Sequence, residues 1–214
     1  MDIIVDNADL KIERLELSVY STNAYILICN RTGESILIDA PAGALKIIKQ
    51  LKGYHLNWIL LTHSHIDHIG GLAAIRKRLS APLAVHEADN DPWLPVAPQR
   101  LLKDGDVLTL GKSRIQVIYT PGHTPGSTSF RIGKYLMAGD TLFPGGPGRT
   151  TDPDSFRQIV HSISNRILSL PDDTEVYPGH GESTTVKKAR EEYTVFASHS
   201  YDRNLRGDVV WLTP

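Results

Sequence analysis

The chain has 214 residues, 41% of them hydrophobic and 22% charged, which is enough to bury a core and excludes a disordered chain. Its 23 basic and 24 acidic residues leave a formal net charge of -1, so no global field favours nucleic acid or an anionic membrane as partner. With Cys29 alone no intrachain disulfide can form, and no apolar run approaches the roughly 20 residues of a membrane span.

The start, Met1 to Asp6, lacks the basic n-region and long apolar stretch of a signal peptide, so a soluble cytoplasmic protein is expected. The first 40 residues read as strands. Lys11 to Val19 alternates in its second half, and Ala24 to Cys29 and Ser35 to Ile38 are short apolar runs. Asn30 to Gly33 between them is a hairpin signal. The spacing predicts a helix over Ala44–Leu51, with Leu45, Ile48 and Leu51 inward and Gly53 beyond its end. Trp58 to Leu61 reads as a buried strand that runs into His63, Ser64, His65, Ile66, Asp67 and His68.

Gly70 and Gly71 open a second helix with Leu72, Ile75 and Leu79 as its apolar stripe, and Pro82 to Val85 is a further strand. Asp89 to Pro98 is a proline-rich loop that reads as a surface connector, the alternative being a place near the mouth of a site. Asp106–Leu110 and Arg114–Tyr119 form a hairpin that leads into Thr120 to Gly126; Thr128–Ile132 and Tyr135–Ala138 form another, ending in Gly139, Asp140 and Thr141. Phe143 to Thr150 holds too much Gly and Pro for regular structure. Asp152 or Asp154 caps a helix carrying Phe156, Ile159, Val160 and Ile163. Glu175 to Tyr177 is the last core strand before Pro178, Gly179, His180 and Gly181, and a helix from about Thr184 to Phe196 closes the pattern. No linker or charge block divides the chain, so one domain over 1–214 is expected.

Three imidazoles and a carboxylate within His63–His68 are costly to bury unless they bind something. Both groups ligate borderline and hard divalent metals. His123, Asp140 and His180 each follow a strand and are flanked by Gly or Pro, so four such loops can converge on one rim. His63, His65 and His123 would complete one metal site, and Asp67, His68 and His180 a second. Asp140 would bridge them, since a carboxylate has two oxygens. Two ions there would acidify a shared water into a nucleophile. His55, His86, His161 and His199 carry no motif and read as surface or satisfied core residues. Ser64, Ser127 and Thr128 lack a nucleophile elbow.

The order of these motifs resembles the metallo-β-lactamase fold superfamily, and within it the glyoxalase II-like hydrolases. The resemblance runs from Thr62 to Gly181. It implies a four-layer αββα sandwich of the α/β class with a dinuclear centre at one edge of its sheets. It also implies hydrolysis of a thioester, ester, lactone or amide by a metal-bridging hydroxide, with hydroxyacylglutathione as the glyoxalase II substrate. His68 argues against a true β-lactamase. Two divalent metals are expected, zinc first, with iron or manganese also suited to His and Asp donors. Asp67 is the expected catalytic carboxylate. Only 33 residues follow Gly181 in the 214, too few for the glutathione-binding helical domain of longer glyoxalase II enzymes. Gly148-Arg149-Thr150 also occurs in this branch and in related persulfide dioxygenases, which makes Arg149 a candidate for a substrate carboxylate, with a structural ion pair the equal alternative. A small-molecule substrate is expected, and a homodimer is compatible with the sequence. A mononuclear iron persulfide dioxygenase using His63, His123 and Asp140, or a lactone hydrolase, are the competing activities.

Overall fold

A computed structural model describes residues 1–212. Its first sheet is built from β1 (Asp2–Asp6), β2 (Leu10–Leu17), β3 (Thr22–Cys29), β4 (Glu34–Ile38), β5 (His55–Leu60), β6 (Leu83–His86) and β7 (Arg100–Leu102), hydrogen-bonded in that order. The first three pairings are antiparallel, and β4 through β7 are parallel. The second sheet holds β8 (Val107–Leu110), β9 (Ser113–Tyr119), β10 (Thr128–Ile132), β11 (Tyr135–Gly139), β14 (Glu175–Pro178) and β15 (Thr184–Thr185). Its order is β15-β14-β11-β10-β9-β8, with β11 and β14 parallel.

β3 shows why the layers stack as they do. Every one of its residues is buried. Tyr25, Leu27 and Cys29 point into the core between the sheets, where Ile115, Val117, Phe130 and Met137 meet them. Ala24, Ile26 and Ile28 point the other way, onto α1 (Ala44–Gln50) and α3 (Leu72–Leu79) through Ile47, Leu72 and Ile75. A strand covered on both faces needs a continuous apolar run, and that is what the sequence contains. The second sheet repeats the arrangement. Its outer face, with Ile118, Leu136 and Val176, receives Phe156 and Ile159 of α4 (Pro153–Ser162) and Ala189 of α5 (Val186–Ala197). The result is the expected αββα sandwich.

Three expectations change in the structure. Leu45 is 82% exposed, and Ile47 is the buried residue of α1, because the short helix turns a different face to the sheet. Phe143 to Thr150 is partly regular: β12 (Leu142–Phe143) pairs antiparallel with β13 (Gly146–Pro147). Its glycines serve close approach, since a Cβ on Gly146 would meet the Val209 carbonyl at 2.5 Å. β7 is an addition to the expected strands, since Arg100-Leu101-Leu102 is too short and carries no alternation to mark it. The cap of α4 is Asp152, whose carboxylate accepts from the Ser155 N–H at 2.9 Å, with Pro153 at the first turn.

The C-terminal segment packs back on the second half. Thr150 and Gly207 exchange two backbone hydrogen bonds, the Trp211 N–H donates to the Gly145 carbonyl at 2.7 Å, and the Trp211 ring is buried against Tyr193 and Phe196. No helix among the described residues is long and apolar enough to cross a membrane.

Candidate metal centre

The loops that carry the candidate ligands leave both sheets at one rim. Beyond β5 the chain runs through Leu61 and Thr62 into His63–His65, then makes the single helical turn α2 (Ile66–Ile69) that carries Asp67 and His68. This turn is seated by backbone bonds, Ala40 N–H to the His68 carbonyl at 2.8 Å and Gly71 N–H to the Ala40 carbonyl at 2.7 Å. A Cβ on Gly71 would meet the Pro41 carbonyl at 2.3 Å, so only glycine allows that approach. β9 delivers His123, and the parallel neighbours β11 and β14 deliver Asp140 and His180 side by side. The His180 loop is stitched to the first sheet. The Asn23 N–H donates to the Gly179 carbonyl at 2.7 Å, the Asn23 amide to the Pro178 carbonyl at 3.1 Å and the Tyr25 hydroxyl to the same carbonyl at 2.6 Å.

All seven sequence-predicted ligands come together. Ligand atoms of His63, His65 and His123 lie within 4.8 Å of one another, as do those of Asp67, His68 and His180, and those of His63, His68 and Asp140. The first two groups match the expected sites, and the third places Asp140 between them. Four imidazoles have their Nδ1 tethered: His63 to the Thr62 hydroxyl at 3.0 Å, His68 to Asp39 at 2.8 Å, His123 to the Arg149 carbonyl at 2.8 Å and His180 to the Tyr20 carbonyl at 3.0 Å. Each tether turns Nε2 toward the shared centre, the outer-layer arrangement that orients metal-binding histidines.

The residues fit a metal pair on this structure's own terms. His63 Nε2 is buried with no hydrogen-bond partner in the protein, and buried Asp140 Oδ1 has only the long 3.4 Å approach of His68 Nε2. Buried polar atoms left this poorly satisfied are costly, and a cation would satisfy both. Gly179 keeps the space clear, since a Cβ there would fall 2.1 Å from Asp140 Oδ1 and 2.7 Å from His68 Cε1. Among the described residues no other group of His, Cys, Asp or Glu gathers this closely.

Electrostatics sort the ligands. Burial pushes the His63 imidazole well below its usual range, and burial lowers His65 too, so both are neutral donors. Burial also opposes charge on His68, but the Asp39 and Asp140 carboxylates reverse it and lift the imidazole to about 10. In the metal-free chain a proton thus stands at His68. Burial works against ionisation of Asp67, yet the His180 hydrogen bond and the His68 charge hold its carboxyl at about 2. Asp140 is likewise lowered, against burial, by His68.

Two buried carboxylates outside the ligand set position it, and neither was singled out in the sequence. Asp39, at φ 60°, accepts from the Thr62 N–H and hydroxyl, each at 2.8 Å, besides holding His68. Asp89 accepts from the Ser64 N–H at 3.1 Å, the Thr124 hydroxyl at 2.8 Å and the Gly126 N–H at 2.8 Å. It clamps the His63–His65 loop to the His123 loop, so the Asp89–Pro98 segment is more than a surface connector at its first residue. The signal for Asp39 was an acid ending an apolar strand; Asp89 sits among acids and prolines and has none.

Arg149 lies beside the centre but does not enter it. Its side chain is 73% exposed, with Nε 3.9 Å from Asp208. A recess of about 370 Å3 joins His123, Asp140 and His180 to Phe143, Arg149 and Val209. His55, His161 and His199 are exposed, while His86 is buried, stacked on Tyr119 and accepting from the Ala88 N–H. Ser127 is committed to the Thr124 N–H at 2.9 Å, not poised for attack.

Similarity to known proteins agrees with this geometry. Residues 17–180 match the profile of the metallo-beta-lactamase superfamily. The chain is 32% identical to the "Probable metallo-hydrolase YqgX" of Bacillus subtilis, over 86% of this chain and 96% of that protein. It is 39% identical to the hydroxyacylglutathione hydrolase of Buchnera aphidicola, over 77% of this chain but only 64% of that enzyme. Among solved structures, BLEG-1 B3 metallo-beta-lactamase superposes at a TM-score of 0.77 with 32% identity, covering 84% of this chain and 96% of that one. ETHE1 from Myxococcus xanthus superposes at 0.78 with 27% identity, covering 88% and 85%. Matched along most of its length in sequence and in fold, the chain belongs to the metallo-beta-lactamase superfamily.

Proposed function

We propose that this superfamily member is a dinuclear metallohydrolase that cleaves a thioester of the hydroxyacylglutathione type. The observation that carries the reading is the seven-residue centre, with four tethered imidazoles and a buried, unpartnered His63 Nε2 that a metal would satisfy. The metallohydrolase level also rests on the family; the thioester rests on the hydroxyacylglutathione hydrolase relative, of which the chain spans 64%. His63, His65 and His123 would hold one ion, Asp67, His68 and His180 the other, and Asp140 both. Zinc suits this His-rich donor set, and iron is supported by TTHA1623, a 32% identical neighbour solved in a di-iron-bound form. Bound divalent metals supply acidified water near neutral pH and polarise a carbonyl oxygen.

The chain's own residues do the rest. Asp67, held ionised against burial by His180 and His68, would bind an ion through the oxygen that faces them and orient the attacking water. The tethers on Nδ1 of His63, His68, His123 and His180 keep the donors from reorganising during the reaction. The recess beside Arg149 receives the polar thiol part, and the exposed guanidinium suits a carboxylate of that part.

The test is a panel assayed on protein of measured metal content: S-lactoylglutathione, an acyl lactone, a β-lactam and glutathione persulfide. Two metals per chain and release of free thiol are expected. One iron per chain with oxygen uptake on the persulfide would overturn the reading. So would cleavage of the β-lactam alone, an arm that the 32% identity to BLEG-1 makes necessary despite His68.

A further inference from the structure

A second recess borders the centre at Asp67 and is unlike the one beside Arg149. It holds about 440 Å3 and is walled by Leu17, Val19, Tyr20, Ala42 and Ile66, with Lys46 its single cation. Three of those side chains are left open to water by the fold: Val19 is 93% exposed, Ile66 72% and Tyr20 61%. A contiguous exposed apolar patch is the mark of a binding groove. Its position gives it a use. Ile66 is bonded directly to His65 and to Asp67, one from each proposed metal subsite, and Asp67 itself lines the recess, so the groove opens beside the proposed centre.

The wall is also fixed. Ser18 and Ser21 hold left-handed backbone at φ 67° and 52°. The Tyr20 N–H donates to the Ser18 hydroxyl at 3.1 Å, and the Tyr20 carbonyl accepts from His180 Nδ1 at 3.0 Å. Val19 and Tyr20 are therefore presented by a turn pinned to a ligand histidine, not by a free tip.

We propose that this groove takes the acyl part of the substrate, and that the preferred thioesters carry an apolar acyl chain rather than a small polar one. The inference rests on the thioester reading. It divides the substrate between two recesses by chemistry: the charged thiol part toward Arg149, the apolar acyl part over Ile66, Val19 and Tyr20. Hydrolysis breaks the acyl carbon–sulfur bond, water supplies the oxygen of the new carboxylate and a proton to the thiol, and no further reactant is needed.

The experiment uses the full chain loaded with zinc and a series of S-acylglutathiones with acetyl, butanoyl, hexanoyl and octanoyl groups, so that the thiol stays constant. We expect kcat/KM to rise roughly two- to fourfold per methylene, the upper figure being the ~0.8 kcal/mol of a fully buried methylene. Ile66→Ser and Val19→Ser should each cut the octanoyl-to-acetyl ratio about tenfold at unchanged zinc content. Because both side chains are exposed, neither substitution threatens the core. A native series that is flat or falls with chain length, while acetyl- or lactoylglutathione is cleaved, would overturn this inference and leave the thioester reading standing. No cleavage of any thioester would overturn both. If Ile66→Ser converts a dimer to a monomer by light scattering and leaves the acyl ratio intact, the patch belongs to a second copy and the inference falls.

Discussion

Asp89 ties together the two loops that carry His63, His65 and His123. Its carboxylate satisfies one buried N–H, one half-buried N–H and a buried hydroxyl, so Asp89→Ala strands all three, and each buried stranded group costs about 1–3 kcal/mol. We expect a loss of about 3 kcal/mol by denaturant titration. On the dinuclear proposal, metal analysis after dialysis should show one ion lost per chain, from the His63, His65 and His123 subsite, with the other retained. Retention of both ions would refute the clamp. His68 gives a second residue-scale prediction. Its folded pKa, about 10, lies above that of a free imidazole. Its contribution to the metal-free fold is therefore complete below the unfolded value and is lost as pH rises through about 10. Thermal melts in chelator should fall across that window, and Asp39→Asn should weaken the dependence, leaving the part that Asp140 supports. A flat profile in the native metal-free protein would count against the Asp39–His68–Asp140 account. Metal uptake at neutral pH should release the His68 proton, which a pH indicator in weak buffer reads directly.

At the scale of elements, the rim loops work because glycine stands wherever backbone or ligand must pass. Gly179→Ala would place a methyl against Asp140 Oδ1 and His68 while leaving the sheets alone. A folded protein with native circular dichroism and at least about tenfold weaker metal binding is expected; unchanged affinity would show that the loop can retreat. These loops were legible in the sequence, since His, Asp, Gly and Pro crowd at strand ends where apolar runs stop. The strands were legible too, because β3 and β9 differ so clearly in pattern, one buried on both faces and the other alternating. The supporting carboxylates were not. Asp39 and Asp89 have the local context of ordinary turn residues, and their partners lie 23 to 37 positions away. Leu45 departs from its apolar spacing for a related reason: a helix of seven residues offers too few turns for that spacing to fix the buried face.

The whole molecule is closed by its C-terminal segment. Trp211 fills the second helical layer against Tyr193 and Phe196, and the same segment pairs with Thr150 beside the Arg149 carbonyl that holds His123. Trp211→Ala should cost about 3–5 kcal/mol, measured by urea or guanidinium unfolding. Metal binding should weaken with it if the segment supports His123; equal destabilisation with unaltered metal affinity would show that the two roles are separate. The centre itself has a consequence in time. His68 and His180 lie 112 positions apart and come within 3.3 Å only when the two sheets dock. At about 5–20 residues per second of synthesis, on the order of ten seconds separate the appearance of the first ligands from the last. During that interval the early histidines can offer an ion only an open, leaky grip. The full ligand set exists only after the last strand arrives, so metal retention by a newly made chain would act as a stopwatch on the completion of its own assembly.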